Sequence, residues 1–382
     1  MLHTLVIIGT RPEAIKMAML IKYMRKHKKI RCHVCVTAQH RSMLDQVLRF
    51  FEIEPDVDLN IMTTDQQLST TTGVMLQQLQ SVMNQLHPDL VLVHGDTNTT
   101  LAGALCAFYN KIPVAHVEAG MRTGNIMLPF PEEANRVLTS KLSTFHFAPT
   151  ALNVRTLRSE HIPSKNIIKT GNTVIDSLLY AARTVKKLSE QIAEPRLLAG
   201  LKTGKKMVLV TGHRRENFGD GFEQICHALK KIAERNPDVF IVYPVHLNPR
   251  VKEPVQTHLA NVSNIILLAP LDYPDFVYLM KKSYLLLTDS GGIQEEGPSL
   301  GKPVLVMRTV TERPEAVQAG TVKLVGTDAK MIVDQVETLL YDTTAYKRMA
   351  RKKNPYGDGK AVLRIVAWIA KNADRIKQQK TQ

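Results

Sequence analysis

The chain has 382 residues, 44% of them hydrophobic, and its 50 basic and 35 acidic residues give a formal net charge of +15. This length suggests two domains, and the apolar runs are far shorter than the roughly 20 residues of a membrane-spanning helix. The positive charge favours anionic partners. However, only 5% of the residues are aromatic and no recognised nucleic-acid motif occurs, so a nucleic-acid partner is not expected.

The N-terminus leads directly into an apolar strand. It lacks the charged leader, the long apolar run and the small-residue cleavage site of a signal peptide. We therefore expect a cytoplasmic protein that does not insert into a membrane.

In the first half of the chain, short apolar strands alternate with amphipathic helices. The predicted strands are Leu5–Gly9, Arg31–Ala38, Leu90–Val93, Val114–Val117, Phe145–Ala148 and Ile167–Thr170. The predicted helices are Ala14–Met24, Gly73–Leu86 and Thr99–Tyr109. Such alternation is typical of a parallel sheet with helices on both faces.

The same alternation restarts after the polar stretch Lys186–Lys206, which Pro195 and two glycines interrupt. The predicted strands are Met207–Val210, Val239–Pro244, Ile265–Leu268, Tyr284–Asp289, Pro303–Met307 and Val322–Val325. The predicted helices are Phe222–Arg235, Phe276–Lys282, Gly292–Gly301 and a long final helix, Val362–Lys377.

This pattern predicts two similar α/β lobes with a cleft between them. We assign residues 1–172 to an N-terminal lobe, 173–360 to a C-terminal lobe, and 361–382 to a helix that crosses back over the first lobe. Ligands of such sheets bind beyond the carboxyl ends of the strands, so we expect the active site in the inter-lobe cleft.

The four cysteines, Cys32, Cys35, Cys106 and Cys226, are too few for a disulfide framework in a chain of this length. Cys32 and Cys35 are three residues apart in a predicted strand, so their side chains point to opposite faces. We expect buried, reduced thiols and no metal site.

Two turns in the first half carry candidate functional residues. In "GTRPEAIK" (Gly9–Lys16), Arg11 offers a planar fork for phosphate and Lys16 is placed to reach the same anion; a pairing of Arg11 with Glu13 is the alternative. In "HGDTNTT" (94–100), Asp96 stands on the turn as a candidate functional residue, and a role as a helix cap is the alternative.

Three further acids follow closely. Glu118 ends the strand Val114–Val117, and Glu132 and Glu133 begin a helix after a Pro-Phe-Pro turn. A buried strand that ends on a carboxylate raises the question of what chemistry needs acids there.

The second half has two corresponding strand ends. In "DSGGIQEE" (289–296), Ser290, Gly291 and Gly292 can let a diphosphate approach the backbone, and Glu295 or Glu296 can bind ribose hydroxyls. Arg313 is a further candidate phosphate or sugar ligand.

In "TGHRREN" (211–217), His213 can donate a hydrogen bond to a phosphate or carry a proton. Arg214 follows it directly. His246 ends the next predicted strand, and a structural role for it is the alternative.

Six motifs in order resemble the non-hydrolysing UDP-N-acetylglucosamine 2-epimerases of bacteria. They are GTRPEAIK, HGDT, HVEAGMRT, PFPEEANR, TGHRREN and TDSGGIQEE. The resemblance covers residues 5 to 315. It implies two Rossmann-like lobes of the GT-B type, a homodimer, and no metal or other cofactor.

The resemblance also implies a reaction and its substrates, UDP-N-acetylglucosamine (UDP-GlcNAc) and UDP-N-acetylmannosamine (UDP-ManNAc). Members of the family interconvert them by eliminating UDP to give 2-acetamidoglucal and then adding UDP back, and the product serves surface polysaccharides. Acids near the sugar are what such chemistry requires.

Residue roles follow from the resemblance by position. Asp96, Glu118 and Glu132 are implied as the acid–base groups, and His213 and Arg11, with Lys16 nearby, stabilise the departing diphosphate. The remaining implied UDP contacts are Leu271, Phe276, Ser290, Gly291, Gly292, Glu296 and Arg313. A second pocket, through which UDP-GlcNAc activates the enzyme, is implied for Gln39, Arg41, Glu132, Arg214 and His246.

Three rival functions stay open at this point. A GT-B glycosyltransferase that uses a UDP-sugar would share the phosphate and ribose motifs but would need fewer acids. A hydrolysing 2-epimerase would release the free sugar and UDP. A basic nucleic-acid binder would show salt-sensitive binding and no turnover.

Overall fold

The computed structural model describes residues 1–37, 41–61, 67–192 and 194–380, without the side chains of Arg41 and Ser42. The chain divides into two compact units. Unit 1 comprises Met1–Ser177 and Tyr356–Gln382, and unit 2 comprises Leu178–Pro355. Within the described ranges, no helix is both long enough and apolar enough to cross a membrane.

Unit 1 is built on a parallel sheet. Its strands are β1 (Leu2–Ile8), β2 (Ile30–Val36), β3 (Val57–Asp58), β4 (Leu90–His94), β5 (Val114–Val117), β6 (Phe145–Ala148) and β7 (Ile167–Lys169). Over the described residues their order is β3-β2-β1-β4-β5-β6-β7. The order reverses between β1 and β4, which pair in parallel from Thr4 opposite Leu90.

The helices of unit 1 flank this sheet. They are α1 (Arg11–Lys26), α2 (Arg41–Phe50), α3 (Leu68–Leu86), α4 (Asn98–Tyr109), α5 (Glu132–Leu142), α6 (Ala151–Ser159) and α7 (Thr173–Thr184), which extends into unit 2, with α16 (Ala361–Lys371) and α17 (Ala373–Gln379) at the C-terminus. The strands are nearly continuous apolar runs, as expected of strands covered on both faces. Leu5, Ile7, Val91 and Val93 are fully buried.

Unit 2 repeats the plan. Its strands are β8 (Lys206–Thr211), β9 (Val239–Pro244), β10 (Ile265–Leu268), β11 (Leu285–Thr288), β12 (Val304–Val306) and β13 (Val322–Leu324). In the part of unit 2 that the structure describes, they run parallel in the order β10-β9-β8-β11-β12-β13. This is the order of a dinucleotide-binding fold, with its reversal between β8 and β11.

The helices of unit 2 lie around that sheet. They are α8 (Pro195–Lys202), α9 (Asp220–Arg235), α10 (Pro249–Leu259), α11 (Tyr273–Lys282), α12 (Gly291–Glu296), α13 (Pro314–Ala319), α14 (Ala329–Tyr341) and α15 (Thr343–Ala350). Val208, Val210, Phe222 and Ile241 are fully buried members of the core between them. The prediction of two Rossmann-like lobes is confirmed.

Two predicted helices end differently in the structure. The helix predicted from Gly292 to Gly301 is α12 followed by a 3-10 turn, Gly297–Leu300, because Pro298 has no N–H for an α-helical hydrogen bond. The prediction of a single final helix was also wrong. It breaks at Asn372, whose side-chain amide donates to the Trp368 carbonyl at 2.8 Å and so competes with the helical backbone.

The C-terminal helices pack on the sheet of unit 1. The Trp368 ring on α16 meets the rings of Phe145 and Phe147 on β6 edge to face, with centroids 4.9 and 5.5 Å away. Edge-to-face pairs add stability beyond the buried area. This contact accounts for the C-terminal residues belonging to unit 1.

The four cysteines are buried and free, as expected. Burial raises the pKa of Cys32 and of Cys35 to about 12. Thiols with such values are unreactive at neutral pH.

Candidate active site

A cavity of about 340 Å³ opens at the reversal point of the unit 1 sheet. It lies at the carboxyl ends of β1, β4 and β5. The residues that line it are Thr10, Pro12, Glu13, Lys16, His94, Asp96, Thr97 and Glu118. Three predicted site residues, Lys16, Asp96 and Glu118, thus meet at one place where ligands of doubly wound sheets bind.

Glu118 takes a strained backbone conformation directly after β5. Its φ is +64°, a region that residues with a side chain seldom occupy and that is found mainly where function requires it. The carboxylate is 9% exposed and accepts from Lys16 Nζ at 2.6 Å and from Asn172 Nδ2 at 2.7 Å. His94 Nε2 lies 3.7 Å away.

The charges around Glu118 decide its protonation. Burial alone would raise its pKa, but Lys16 and His94 hold the pKa well below the ordinary value of 4.5. An opposite charge at such short range favours the charged form of an acid. Glu118 therefore stays ionised at neutral pH.

Asp96 stands on the turn after β4. Its carboxylate pairs with Arg136 Nη2 at 2.6 Å, and its backbone carbonyl accepts from Asn135 Nδ2 at 2.9 Å. Both partners are buried on α5. The helix cap beside it is Thr97, whose hydroxyl accepts from the Thr100 N–H, so Asp96 is left to face the cavity.

Glu132 and Glu133 are neighbours with different surroundings. Glu133 is buried and accepts from the N–H groups of Thr123 and Gly124 and from Arg136 Nη1 at 2.9 Å. Glu132 opens α5, and its Oε2 atom is buried without a hydrogen-bond partner among the described residues. Glu132 therefore keeps an acceptor for another group, whereas Glu133 fixes the preceding loop.

Glu13 also lines the cavity, although we considered it only as a partner of Arg11. Its carboxylate is 1% exposed and accepts from Gly9 N at 3.1 Å, Thr10 N at 2.8 Å and Thr97 Oγ1 at 2.7 Å. Burial raises its pKa above the ordinary value. Glu13 thus joins the turn after β1 to the turn after β4, and the Thr10-x-x-Glu13 capping box is the sequence signal for half of this role.

The packing around Gly9 leaves no room for a side chain. A Cβ atom there would lie 2.2 Å from Thr99 Oγ1 and 2.4 Å from Thr37 Oγ1. Its close neighbour Arg11 is half-buried at the first position of α1.

The corresponding strand ends of unit 2 carry His213, on the loop after β8, and Asp289, after β11. Asp289 is fully buried and accepts from the backbone N–H groups of His213 and Arg214, both at 2.8 Å. His213 Nδ1 lies 3.6 Å from Asp289 Oδ1, and the imidazole is 42% exposed. Burial lowers the pKa of His213 and outweighs the opposite effect of Asp289.

The start of α12 brings Ser290, Gly291 and Gly292 together with Arg313. A Cβ atom on Gly291 would lie 3.2 Å from Arg313 Cζ, so glycine lets the guanidinium approach the backbone. Arg313 Nε also donates to Glu295 Oε1 at 2.9 Å. Glu296, which is 8% exposed, follows on the same helix.

A buried arginine, Arg308, connects two loops of unit 2 and was not predicted as functional. Its Nε donates to Glu216 at 2.5 Å and its Nη1 to Glu312 at 2.8 Å. Burial would raise the pKa of Glu312, but Arg308 lowers it to about 2. Arg308 therefore ties the loop after His213 to the loop that carries Arg313.

Two of the predicted UDP contacts, Leu271 and Phe276, lie near a second cavity, in unit 2. The cavity has a volume of about 510 Å³ and is formed where β10 leads into α11. Among the described residues that line it, Leu271 is included and Phe276 is not. Phe276 is half-buried on the first turn of α11.

The residues predicted for the activating pocket are only partly described. Gln39 and the side chain of Arg41 lie outside the described residues. Arg214 donates its backbone N–H to Asp289, and His246 is exposed and stacks on His213 with ring centroids 5.5 Å apart.

The structure also bears on metal binding. In the ranges that it describes, no group of three or more His, Cys, Asp or Glu side chains is arranged to hold a metal ion.

Comparisons with known proteins agree with this geometry. Residues 22–370 match the family model described as UDP-N-acetylglucosamine 2-epimerase. A Yersinia pestis protein named UDP-N-acetylglucosamine 2-epimerase is 56% identical over 96% of this chain and 97% of its own length. The Escherichia coli K12 protein of the same name is 54% identical over 97% of this chain and 99% of its own length.

A solved structure shows the same fold. The crystal structure of UDP-GlcNAc 2-epimerase from Neisseria meningitidis, bound to UDP-GlcNAc, is 49% identical and superposes with a TM-score of 0.87. The match covers 97% of this chain and 100% of that one.

Proposed function

We propose, from the premise that this chain belongs to the UDP-N-acetylglucosamine 2-epimerase family, that it interconverts UDP-GlcNAc and UDP-ManNAc without hydrolysing them. The observation that carries the proposal is the unit 1 cavity, which Asp96, Glu118 and Lys16 line together. The product would serve the synthesis of surface polysaccharides.

The chemistry has to invert C2 of the sugar, whose hydrogen is not next to a carbonyl and is therefore weakly acidic. Elimination solves this. The C1–O bond breaks, its electron pair leaves with the β-phosphate of UDP, a base takes the C2 proton, and the double bond of 2-acetamidoglucal forms. Re-addition restores the C1–O bond and delivers a proton to the opposite face of C2.

Glu118 is our candidate for a group that works on the C2 proton. Its low pKa makes it a carboxylate at neutral pH but a weak base. A weak base suffices only if cleavage of the C1–O bond runs ahead of proton removal, since positive charge at C1 then acidifies C2. Lys16, which holds Glu118 ionised, would also be a cation for the departing anion.

Asp96 and Glu132 are the other proposed acid–base groups. Asp96 is 27% exposed and held by Arg136, and Glu132 has a buried oxygen without a partner among the described residues. Inversion needs proton transfer on both faces of C2, so more than one carboxylic acid is required.

Unit 2 would hold the nucleotide. We assign the phosphate oxygens to Ser290, Gly291 and Gly292, because glycine lets a diphosphate reach the backbone N–H groups, with Arg313 as the adjacent cation. Glu296 would accept hydrogen bonds from the ribose hydroxyls.

Four more residues complete the proposed UDP contacts. Leu271 and Phe276 would bracket the uracil, which the cavity at Leu271 supports. His213 and Arg11 would stabilise the diphosphate as it leaves, since positive donors aimed at developing charge lower the barrier most.

The proposal includes activation by UDP-GlcNAc through Gln39, Arg41, Arg214 and His246, with Glu132 shared. The stacking of His246 on His213 would connect the two functions. Pure UDP-ManNAc should turn over slowly until a trace of UDP-GlcNAc is added. Full turnover of UDP-ManNAc alone would contradict the activation.

We also propose a cytoplasmic homodimer. Four buried, free cysteines fit a reducing compartment. Light scattering coupled to size-exclusion chromatography should give twice the chain mass of 42.8 kDa, and a monomer at micromolar concentration would contradict the dimer.

Incubation with UDP-GlcNAc in D₂O tests the reaction. Proton NMR should show UDP-ManNAc appearing and deuterium entering C2 of both intact UDP-sugars. Accumulation of free N-acetylmannosamine with UDP would identify a hydrolysing enzyme instead. Interconversion that never exchanges the C2 hydrogen with solvent would overturn the elimination route.

A further inference from the structure

A carboxylate that the proposed mechanism does not use, Asp289, lies behind His213 in unit 2. Asp289 immediately follows β11 and is fully buried. A buried carboxylate is costly unless its oxygens are hydrogen-bonded, so each oxygen needs an explanation.

The two oxygens of Asp289 do different things. Oδ2 accepts from the N–H groups of His213 and Arg214 at 2.8 Å, and Asn217 Nδ2 lies 3.4 Å from it. Oδ1 is buried and has no hydrogen-bond partner among the described residues. Oδ2 thus fixes the loop that follows β8, while Oδ1 can interact with the imidazole of His213.

The group that Oδ1 faces is His213. The Oδ1–Nδ1 distance of 3.6 Å is that of an ion pair and is longer than a hydrogen bond. The strength of the interaction between Asp289 and His213 therefore depends on the charge of the imidazole ring. Because Nδ1 and Nε2 lie on opposite sides of an imidazole, a ring with Nδ1 towards Asp289 directs Nε2 away from it, and 42% of this side chain is exposed.

We propose that Asp289 is a positioning residue that holds His213 with Nδ1 inward and favours its protonated form when the diphosphate charge develops at Nε2. This inference rests on the proposed function, because it assumes that His213 serves the leaving group. Asp289 itself would not touch the substrate.

The surroundings of His213 explain why such a partner is needed. Burial lowers the pKa of His213, and the neighbouring His246 and Arg214 lower it further, while Asp289 raises it. The nearby phenol of Tyr243 donates to the Gly212 carbonyl and carries no charge. Asp289 is thus the negative group that opposes two cationic or titratable neighbours.

The Asp289→Asn variant distinguishes the effect of the negative charge of Asp289 from its hydrogen bonds to the loop. The side-chain oxygen of asparagine can still accept the two N–H groups, whereas the amide cannot stabilise a protonated imidazole and favours the wrong tautomer. We expect kcat to fall by less than the roughly 10²–10⁴-fold that a positioned acid or base contributes, with little change in the Kd of UDP. If protonated His213 is the active form, the alkaline limb of the kcat profile should move to lower pH.

A double-mutant comparison distinguishes positioning from a purely structural role. If Asp289 acts through His213, Asp289→Asn should cost little when added to His213→Gln. Tyr243→Phe is the matched control. It removes a hydrogen bond to the same loop without changing charge, and neither its rate nor its pH limb should move appreciably.

The possible failures can be told apart. An equal loss from Asp289→Asn in both backgrounds, or a loss with an unmoved alkaline limb, would overturn the positioning role. The variants are compared with wild-type enzyme that has first been shown to exchange the C2 hydrogen in D₂O. Absence of that exchange would count against the proposed reaction and not against the Asp289 contact.

Discussion

Units 1 and 2 share a topology, yet they use carboxylates in opposite ways at their strand ends. In unit 1, two acids that line the cavity are paired with cations, Glu118 with Lys16 and Asp96 with Arg136. In unit 2, two fully buried acids are supports: Asp289 fixes a loop and Glu295 holds Arg313.

The difference follows from what each unit is proposed to bind. A diphosphate needs cations and N–H groups turned towards it, so acids must lie behind them and orient them. A sugar carbon that exchanges a proton needs the acids themselves turned towards it. One fold serves both purposes because the end of a strand fixes the position of a residue, whereas the sequence decides which side chain stands there.

The largest expected effect is in unit 1. Glu118→Gln should lower kcat roughly 10²–10⁴-fold, because it removes the ionised oxygen from the cavity while keeping the shape. Steady-state rates with UDP-GlcNAc measure this.

Unit 1 offers a matched control for that variant. Glu52 also has a positive φ, +54°, and also pairs with a lysine, Lys22, at 2.9 Å, but its side chain is 79% exposed. Glu52→Gln should leave kcat unchanged. Equal losses in the two variants would mean that the strained, lysine-paired geometry matters and the cavity does not.

The adjacent acids Glu132 and Glu133 make a second comparison inside unit 1. Glu132→Gln should lower kcat by about 10² with an unchanged melting temperature. Glu133→Gln should instead lower the free energy of unfolding by about 1–3 kcal/mol, because two N–H groups and Arg136 lose a carboxylate.

The effect of pH distinguishes them further. Burial would raise the pKa of Glu133, but Arg136 and the two N–H groups lower it below the ordinary value. A carboxylate whose pKa is lower in the folded than in the unfolded state stabilises the fold at pH values above its unfolded-state pKa. This stabilisation is lost as the pH falls through the folded-state pKa. The stability gap between wild type and Glu133→Gln should therefore close in acid, and a gap independent of pH would contradict the role of its charge.

In unit 2 the expected effect is on binding. Arg313→Ala should raise the Kd of UDP about tenfold, or about 1.4 kcal/mol, as measured by calorimetry. Lys330→Ala removes an exposed cation, 84% exposed and paired with Asp334, and should leave the Kd unchanged. An unchanged Kd in Arg313→Ala would place Arg313 outside the UDP site.

The sequence allowed much of this arrangement to be predicted, because strand ends can be read from apolar runs. Asp96, Glu118, His213 and Ser290 follow such runs directly, and the sheet order brings each group to a reversal point. Their proximity within each unit is thus a consequence of topology.

The supporting residues could not be found in this way. Glu13 meets Thr97, Arg308 meets Glu216, and Asp289 meets His213 across 76 or more residues. No local sequence pattern indicates such pairs, because the two residues come into contact only when the strands that carry them pack in the folded sheet. The same reason applies to Asn372, whose break in the final helix depends on a side-chain hydrogen bond and not on a proline or glycine.

The smallest expected effect is a shift in pH dependence, and it tests the cation in unit 1 directly. Burial would raise the pKa of Glu118, and Lys16 is the foremost group that lowers it. Lys16→Met should therefore raise that pKa. If the ionised form is the active one, the acid limb of kcat/KM lies below pH 4.5 in the wild type and moves to higher pH in the variant. Lys22→Met, which removes the partner of exposed Glu52, should leave the limb in place. An acid limb that Lys16→Met does not move would mean that another group, such as Asp96 or Glu132, sets it. The pairing of Lys16 with Glu118 would then not be what keeps the active form of the enzyme ionised.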